Sequence, residues 1–221
     1  MPYYHAVMFD FDGTLVDTMH EYARIAGKEI TALFGLPEEH AQQLYLETSG
    51  VPFFQQLEII FGPDLRNAEC ASRFEQTKAA YLEGVTLDAK TKRILTEIRS
   101  LGLSIAITSN NFQERLDPFI EREAQLFDLV LGFSSRMSKG PAQFSRVIET
   151  FGVDRRRLVF VGDSLSDARK ALAFGVDFIA LAGTLEKSSF TSLFPFILVL
   201  DDLSEVLDIL KMEGPIQYKA R

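Results

Sequence analysis

Six short apolar runs, at residues 6–9, 103–108, 129–133, 158–161, 178–181 and 196–200, are separated by longer stretches with helical periodicity. Each run reads as a mainly apolar segment, without regular alternation with polar residues. A strand with one wet face alternates, whereas a strand covered on both faces does not. Repetition of the strand–helix unit therefore specifies an α/β protein with a doubly wound parallel sheet. The helix expected over 88–100 is representative: Ile94, Leu95, Ile98 and Leu101 share one face, and Gly102 is placed to end it.

Residues 17–84 break this rhythm, because they hold no strand pattern. Thr18 and Glu21 are spaced as a capping box, followed by Tyr22, Ile25, Ala26, Ile30 and Leu33 on one helical face. Gly35 and Pro37 stop that helix and start another. Further on, Phe53, Phe54, Leu57, Ile60 and Phe61, then Cys70, Phe74, Tyr81 and Leu82, mark more helix. The stretch is too long for a simple crossover between parallel strands and reads as an inserted helical bundle over 17–84. The sheet unit is then 1–16 together with 85–221. Phe53, Phe54 and Phe61 are expected inside the bundle, and His20 and Arg24 on a solvated face. Thr48-Ser49-Gly50-Val51-Pro52 is a turn-rich break that serves either as a plain helix connection or as a loop dipping toward the sheet.

Composition narrows the setting. Hydrophobic residues are 47% and charged residues 24%, which excludes a disordered chain. A net charge of −8 argues against a nucleic-acid surface, which needs a basic stripe. The single cysteine, Cys70, cannot form an internal disulfide and is expected as a small buried side chain. Met1-Pro2-Tyr3-Tyr4-His5 lacks the basic flank and apolar stretch of an export signal. The longest apolar run, near 194–200, falls far short of the ~20 residues a membrane span needs. A cytoplasmic protein without membrane or nucleic-acid partners is expected.

In open α/β sheets the ligand sits beyond the carboxyl ends of the strands. Asp10-Phe11-Asp12-Gly13-Thr14 follows the first run, and Thr108-Ser109-Asn110-Asn111 follows the second. Lys139-Gly140-Pro141 comes a few residues after the third, and Gly162-Asp163-Ser164-Leu165-Ser166-Asp167 follows the fourth. Each segment alone suits a turn or a helix cap; all four in order at successive strand ends point to one site. Four clustered carboxylates resist joint ionisation unless a hard cation offsets them, and Mg²⁺ takes oxygen ligands together with substrate phosphate. Against Mg²⁺ and the Lys139 ammonium, one negative charge remains uncompensated, so one acid, Asp12, is expected to carry a proton for a leaving group. Asp10 at the strand tip is the candidate nucleophile, forming an acyl phosphate that water cleaves. Ser109, Asn110 and Lys139 would hold the transferring oxygens, Asp163 would complete the metal site, and Asp167 would orient Lys139 or a metal-bound water.

These four motifs, together with the insertion over 17–84, resemble the haloacid dehalogenase superfamily in its phosphoglycolate phosphatase-like branch, which also holds enzymes of the β-phosphoglucomutase type. The resemblance implies a Rossmann-like core, an α-helical cap closing over the substrate, Mg²⁺ and an aspartyl-phosphate intermediate. By position Asp10 matches the nucleophile and Asp12 the acid/base, whose backbone carbonyl also meets Mg²⁺. Ser109 and Lys139 match the phosphate binders, and Asp163 the last metal ligand. Asp12 separates the chain from dehalogenases and phosphonate hydrolases, which lack that aspartate. Tyr22 stands where the sugar-phosphate mutases carry a histidine, and Thr14 suits phosphatases. Gly140 intervenes between Lys139 and Pro141, where many relatives have the lysine followed directly by proline. The expectation is a Mg²⁺-dependent phosphatase of a small phosphorylated metabolite, monomeric because the cap itself covers the site. A phosphomutase and a non-catalytic phospho-acceptor module are the competing readings; receiver domains of the latter kind have no helical insertion after the first strand.

Overall fold

The computed structural model describes residues 2–216; residues 1 and 217–221, the ends of the expected sheet unit, lie outside the described residues. Six strands form one parallel sheet: β1 (Ala6–Phe9), β2 (Ser104–Phe112), β3 (Leu129–Phe133), β4 (Leu158–Gly162), β5 (Asp177–Leu181) and β6 (Leu198–Leu200). Their spatial order is β3-β2-β1-β4-β5-β6, the Rossmann-like doubly wound arrangement. The expected apolar runs all became strands, although β2 runs four residues past its expected end and β6 starts two residues late.

Both faces of the sheet are covered, which is why the runs are continuous. Val7 and Phe9 of β1 point into one core with Ile94, Leu95 and Ile98 of α5 (Ala89–Ser100), Leu116 and Phe119 of α6 (Gln113–Glu123), and Val206 and Leu210 of α10 (Leu203–Leu210). Ala6 and Met8 point the opposite way, among Phe144 and Val147 of α7 (Pro141–Phe151), Ala168 and Ala171 of α8 (Leu165–Phe174) and Phe190 of α9 (Lys187–Leu193). Asp88 caps α5 by accepting the Thr91 backbone N–H at 2.8 Å. Pro141 opens α7 in the first turn, where its missing N–H costs no hydrogen bond.

Between β1 and α5 the described chain is helical: α1 (Met19–Phe34), α2 (Glu38–Glu47), α3 (Phe53–Phe61) and α4 (Arg66–Leu82). They share a core of their own that includes Tyr22, Ile30, Tyr45, Phe53, Leu57, Cys70 and Phe74. Cys70 is fully buried there. Phe61 is half-buried and stacks on Phe34 with ring centroids 3.8 Å apart. Phe54 departs from expectation: it is 40% exposed and turns its ring toward Phe133 of β3, at 6.2 Å, so it bridges the helices to the sheet unit. The capping box at Thr18 and Glu21 does not form. Thr18 makes no cap bond because its hydroxyl is used by Asp12, and Glu21 pairs with Arg24 on the exposed face, where His20 is exposed as well. No helix among the described residues is long and apolar enough to cross a membrane.

Candidate active site

The order of strands reverses between β1 and β4, and the crevice at their carboxyl ends is where such a sheet binds ligands. Asp10 leaves β1 and Asp163 leaves β4 side by side, with the Asp10 backbone N–H donating to the Val161 carbonyl at 2.9 Å. Lys139, ahead of α7, reaches in from the third segment. Its ammonium lies 2.9 Å from Asp10 Oδ2 and 2.8 Å from Asp167 Oδ1, with all three side chains buried. The glycine at 140 therefore does not divert Lys139 from the aspartates. Asp167, in the first turn of α8, also accepts from the Ser164 hydroxyl at 2.7 Å. Of the two partners expected for it, Lys139 or a metal-bound water, it meets Lys139.

Oxygen atoms of Asp10, Asp163 and Asp167 all lie within 4.8 Å of one another. Burial drives the Asp10 carboxyl well above the ordinary carboxylate range, against the pull of Lys139 and with Asp167, Asp163 and Asp12 adding to the rise. Burial and the Asp167 charge lift Asp163 to about 7. Although burial works against ionisation of Asp167, Lys139 and Lys170 hold it below its usual value. Burial also opposes the charge on Lys139, but Asp10 and Asp167 outweigh it and keep the ammonium protonated. Acidic oxygens this close, two of them resisting ionisation, suit a hard divalent cation, which would stabilise the anionic forms.

Asp12 sits apart from that trio. Its carboxylate accepts from the Thr18 hydroxyl and from the Asn111 amide, both at 2.7 Å, and so is fixed from the helical insertion and from β2 together. The second strand does not end at Thr108. Its register against β3 shifts between Thr108 and Phe112, and this irregularity presents both Asn110 and Asn111 to the cleft. Ser109 is fully buried, and its hydroxyl accepts from the Asn111 backbone N–H at 3.0 Å. Asn110 donates to the Gly50 carbonyl at 2.9 Å. The 48–52 loop therefore dips toward the sheet, and Ser49, Gly50, Val51 and Pro52 form a wall of the cleft.

Several participants escaped the sequence reading. Asn111 has no sequence signal that sets it apart from its neighbour Asn110, because an irregular register leaves no periodic trace. Thr18 read as a helix cap. Thr184 donates its hydroxyl to Asp163 from beyond β5. Tyr22, Tyr45, Glu75 and Lys78 line the cleft from the helical side, where Lys78 lies 4.8 Å from the Tyr22 ring centre. Burial, assisted by the Asp12 charge, pushes the Tyr22 phenol above its ordinary value, so it stays neutral. Lys170 belongs to this neighbourhood as well: Asp167 and Asp10 both act on its charge. A lysine one turn after Asp167 on the same helix was the available signal.

The profile of haloacid dehalogenase-like hydrolases matches residues 7–181. A phosphoglycolate phosphatase of Synechococcus elongatus is 25% identical over 188 residues, covering 80% of this chain and 82% of that protein. Among solved structures, a haloacid dehalogenase-like family hydrolase of Streptococcus pneumoniae has a TM-score of 0.76 at 19% identity, over 93% of this chain and 98% of that one. CbbY of Rhodobacter sphaeroides, solved with xylulose-1,5-bisphosphate, has a TM-score of 0.73 at 17% identity, over 96% and 100% of the two chains. At these identities the two structural likenesses speak for the fold alone.

Proposed function

Since the chain belongs to the haloacid dehalogenase-like hydrolases, we propose that it is a Mg²⁺-dependent phosphatase of small phosphorylated metabolites, similar to the phosphoglycolate phosphatases. The supporting observation is the buried cluster of Asp10, Asp163, Asp167 and Lys139 at the carboxyl ends of β1 and β4. Asp10 and Asp163, with the backbone carbonyl of Asp12, would hold Mg²⁺, which would neutralise charge on the phosphoryl group. The helices over 17–84 act as the cap that encloses the leaving group.

Asp10 attacks phosphorus through a carboxylate oxygen. The bond from phosphorus to the leaving oxygen breaks as the acyl phosphate forms, and Asp12 gives its proton to that oxygen. Thr18 and Asn111 fix the direction of the Asp12 carboxylate for this transfer. Water then attacks phosphorus, Asp12 takes its proton, and cleavage of the acyl phosphate frees inorganic phosphate and restores Asp10. Lys139, held by Asp167, and Ser109 and Asn110 bind the transferring oxygens. Phosphoryl transfer needs chiefly positioning and charge neutralisation, and these groups supply both.

The test is phosphate release from a panel of phosphorylated metabolites, with and without Mg²⁺. Release that depends on Mg²⁺ and disappears in Asp10→Asn is the expected result. Isomerised sugar phosphate appearing faster than inorganic phosphate would assign the site to a phosphomutase instead.

A further inference from the structure

The Gly50 carbonyl oxygen collects three donors from the sheet unit. The Lys170 ammonium lies 2.6 Å away, the Asn110 amide 2.9 Å and the Ser166 hydroxyl 3.1 Å. These donors come from two places, the irregular end of β2 and the first two turns of α8. Gly50 belongs to neither: it lies in the connection between α2 and α3 of the helical insertion. Its φ is +86°, and a Cβ there would stand 2.3 Å from Ser164 Oγ and 2.6 Å from Ser166 Cβ. Only glycine lets this backbone come so close.

Among the described residues, no carboxylate lies within ion-pairing distance of Lys170. Asp167, one turn before it, is committed to Lys139 and Ser164. A partly buried ammonium whose only bonded partner is a neutral carbonyl is costly to keep. Burial and the neighbouring Lys139 ammonium push Lys170 down to about 8. Surface solubility does not account for a lysine in such a place.

Resting on the phosphatase reading, we propose that Lys170 is a positioning residue, which with Asn110 and Ser166 clamps the Gly50 carbonyl and sets the 48–52 loop as the closed wall of the cleft. One helix thereby serves both halves of the site. Asp167 holds the phosphate-binding Lys139, and Lys170, three residues on, holds the loop that faces it. Without the clamp the loop opens, the competent closed form is less populated, and apparent affinity falls by that fraction while the closed complex reacts as before.

The experiment compares the parent protein with Lys170→Met, which keeps most of the apolar stem, and with the milder Ser166→Ala. Hydrogen exchange of the peptide spanning 48–53 reads the clamp without reference to catalysis. Hydrolysis of p-nitrophenyl phosphate with Mg²⁺ reads the consequence. In Lys170→Met, exchange in that peptide is expected to rise about tenfold, and KM to rise about tenfold with kcat within twofold. Ser166→Ala should move both in the same direction by less. Unchanged exchange in Lys170→Met would overturn the clamp. A fall in kcat at constant KM would overturn the positioning role, since Lys170 would then act through its charge on the chemistry. If the parent protein released no p-nitrophenol while the exchange result held, the clamp would stand and the phosphatase reading would fail.

Discussion

Two aspartates two residues apart in sequence have unlike surroundings, and their proposed chemistry follows from that difference. Asp10 lies in a buried field of acids and one ammonium, with Oδ1 accepting the Phe11 N–H at 2.7 Å and Oδ2 facing Lys139. Asp12 is oriented by neutral donors at 2.7 Å on each oxygen. Replacing Asp10 by Asn removes the nucleophile and should lower turnover at least about a thousandfold. Thr18→Val keeps the shape of the side chain but deletes one of the two bonds that aim Asp12. A tenfold fall in kcat, about 1.4 kcal/mol, is expected in steady-state assays. Lys139→Met leaves Asp10 and Asp167 buried without their cation. Breaking a buried pair in this way costs about 3–5 kcal/mol, which urea unfolding in the presence of a chelator would register.

The elements explain how side chains distant in sequence are held in register. The irregular end of β2 is pinned by Gln143 of α7, whose amide donates to the carbonyls of Ser109 at 3.1 Å and Gly132 at 3.0 Å. Gly132 in turn lies against the start of α6: a Cβ there would come within 2.6 Å of Gln113 Cα and 2.8 Å of Gln113 N. These are backbone contacts that cannot rotate away. Gly132→Ala should therefore cost about 1–3 kcal/mol of stability. It should also lower activity, since the displaced segment carries Asn110 and Asn111. A wild-type unfolding midpoint in this variant would show that α6 can shift without strain. The failed capping box at Thr18 belongs at this scale too. The spacing suits a cap, but the half-buried Asp12 carboxylate takes the hydroxyl, and α1 is tied to the site.

Across the whole molecule, the acidic cluster couples folding to pH and to the cation. Asp163 is lifted from 3.8 to about 7, and Asp10 is also raised well above its usual value. A carboxyl whose pKa is raised on folding favours the fold below its unfolded value, and this contribution is lost as pH rises through the folded one. In chelator, stability from Asp163 should decline between pH 3.8 and about 7, and Asp10 acts in the same direction. On the proposed reading Mg²⁺ would take the place of the bound proton, so the stabilisation it confers should grow over the same interval. Thermal melts from pH 5 to 8, with chelator and with saturating Mg²⁺, measure the difference. An increment that stays flat with pH would mean that the cation does not compete with protons on these aspartates.

The sequence alone specified the parallel sheet, because strands covered on both faces are mainly apolar and do not alternate with polar residues. It placed Asp10, Asp163 and Lys139 at one rim, because parallel strands all end on the same side. It marked 17–84 as helical, because the apolar spacing there has no period of two. The tertiary structure alone decided that Thr18 serves Asp12, that an irregular β2 presents both Asn110 and Asn111, and that Phe54 faces the sheet unit. It also brought Lys170 to a carbonyl 120 residues earlier in the chain. Local periodicity records which face of an element is buried. It carries no record of which polar group from a distant segment will meet another once those faces have packed.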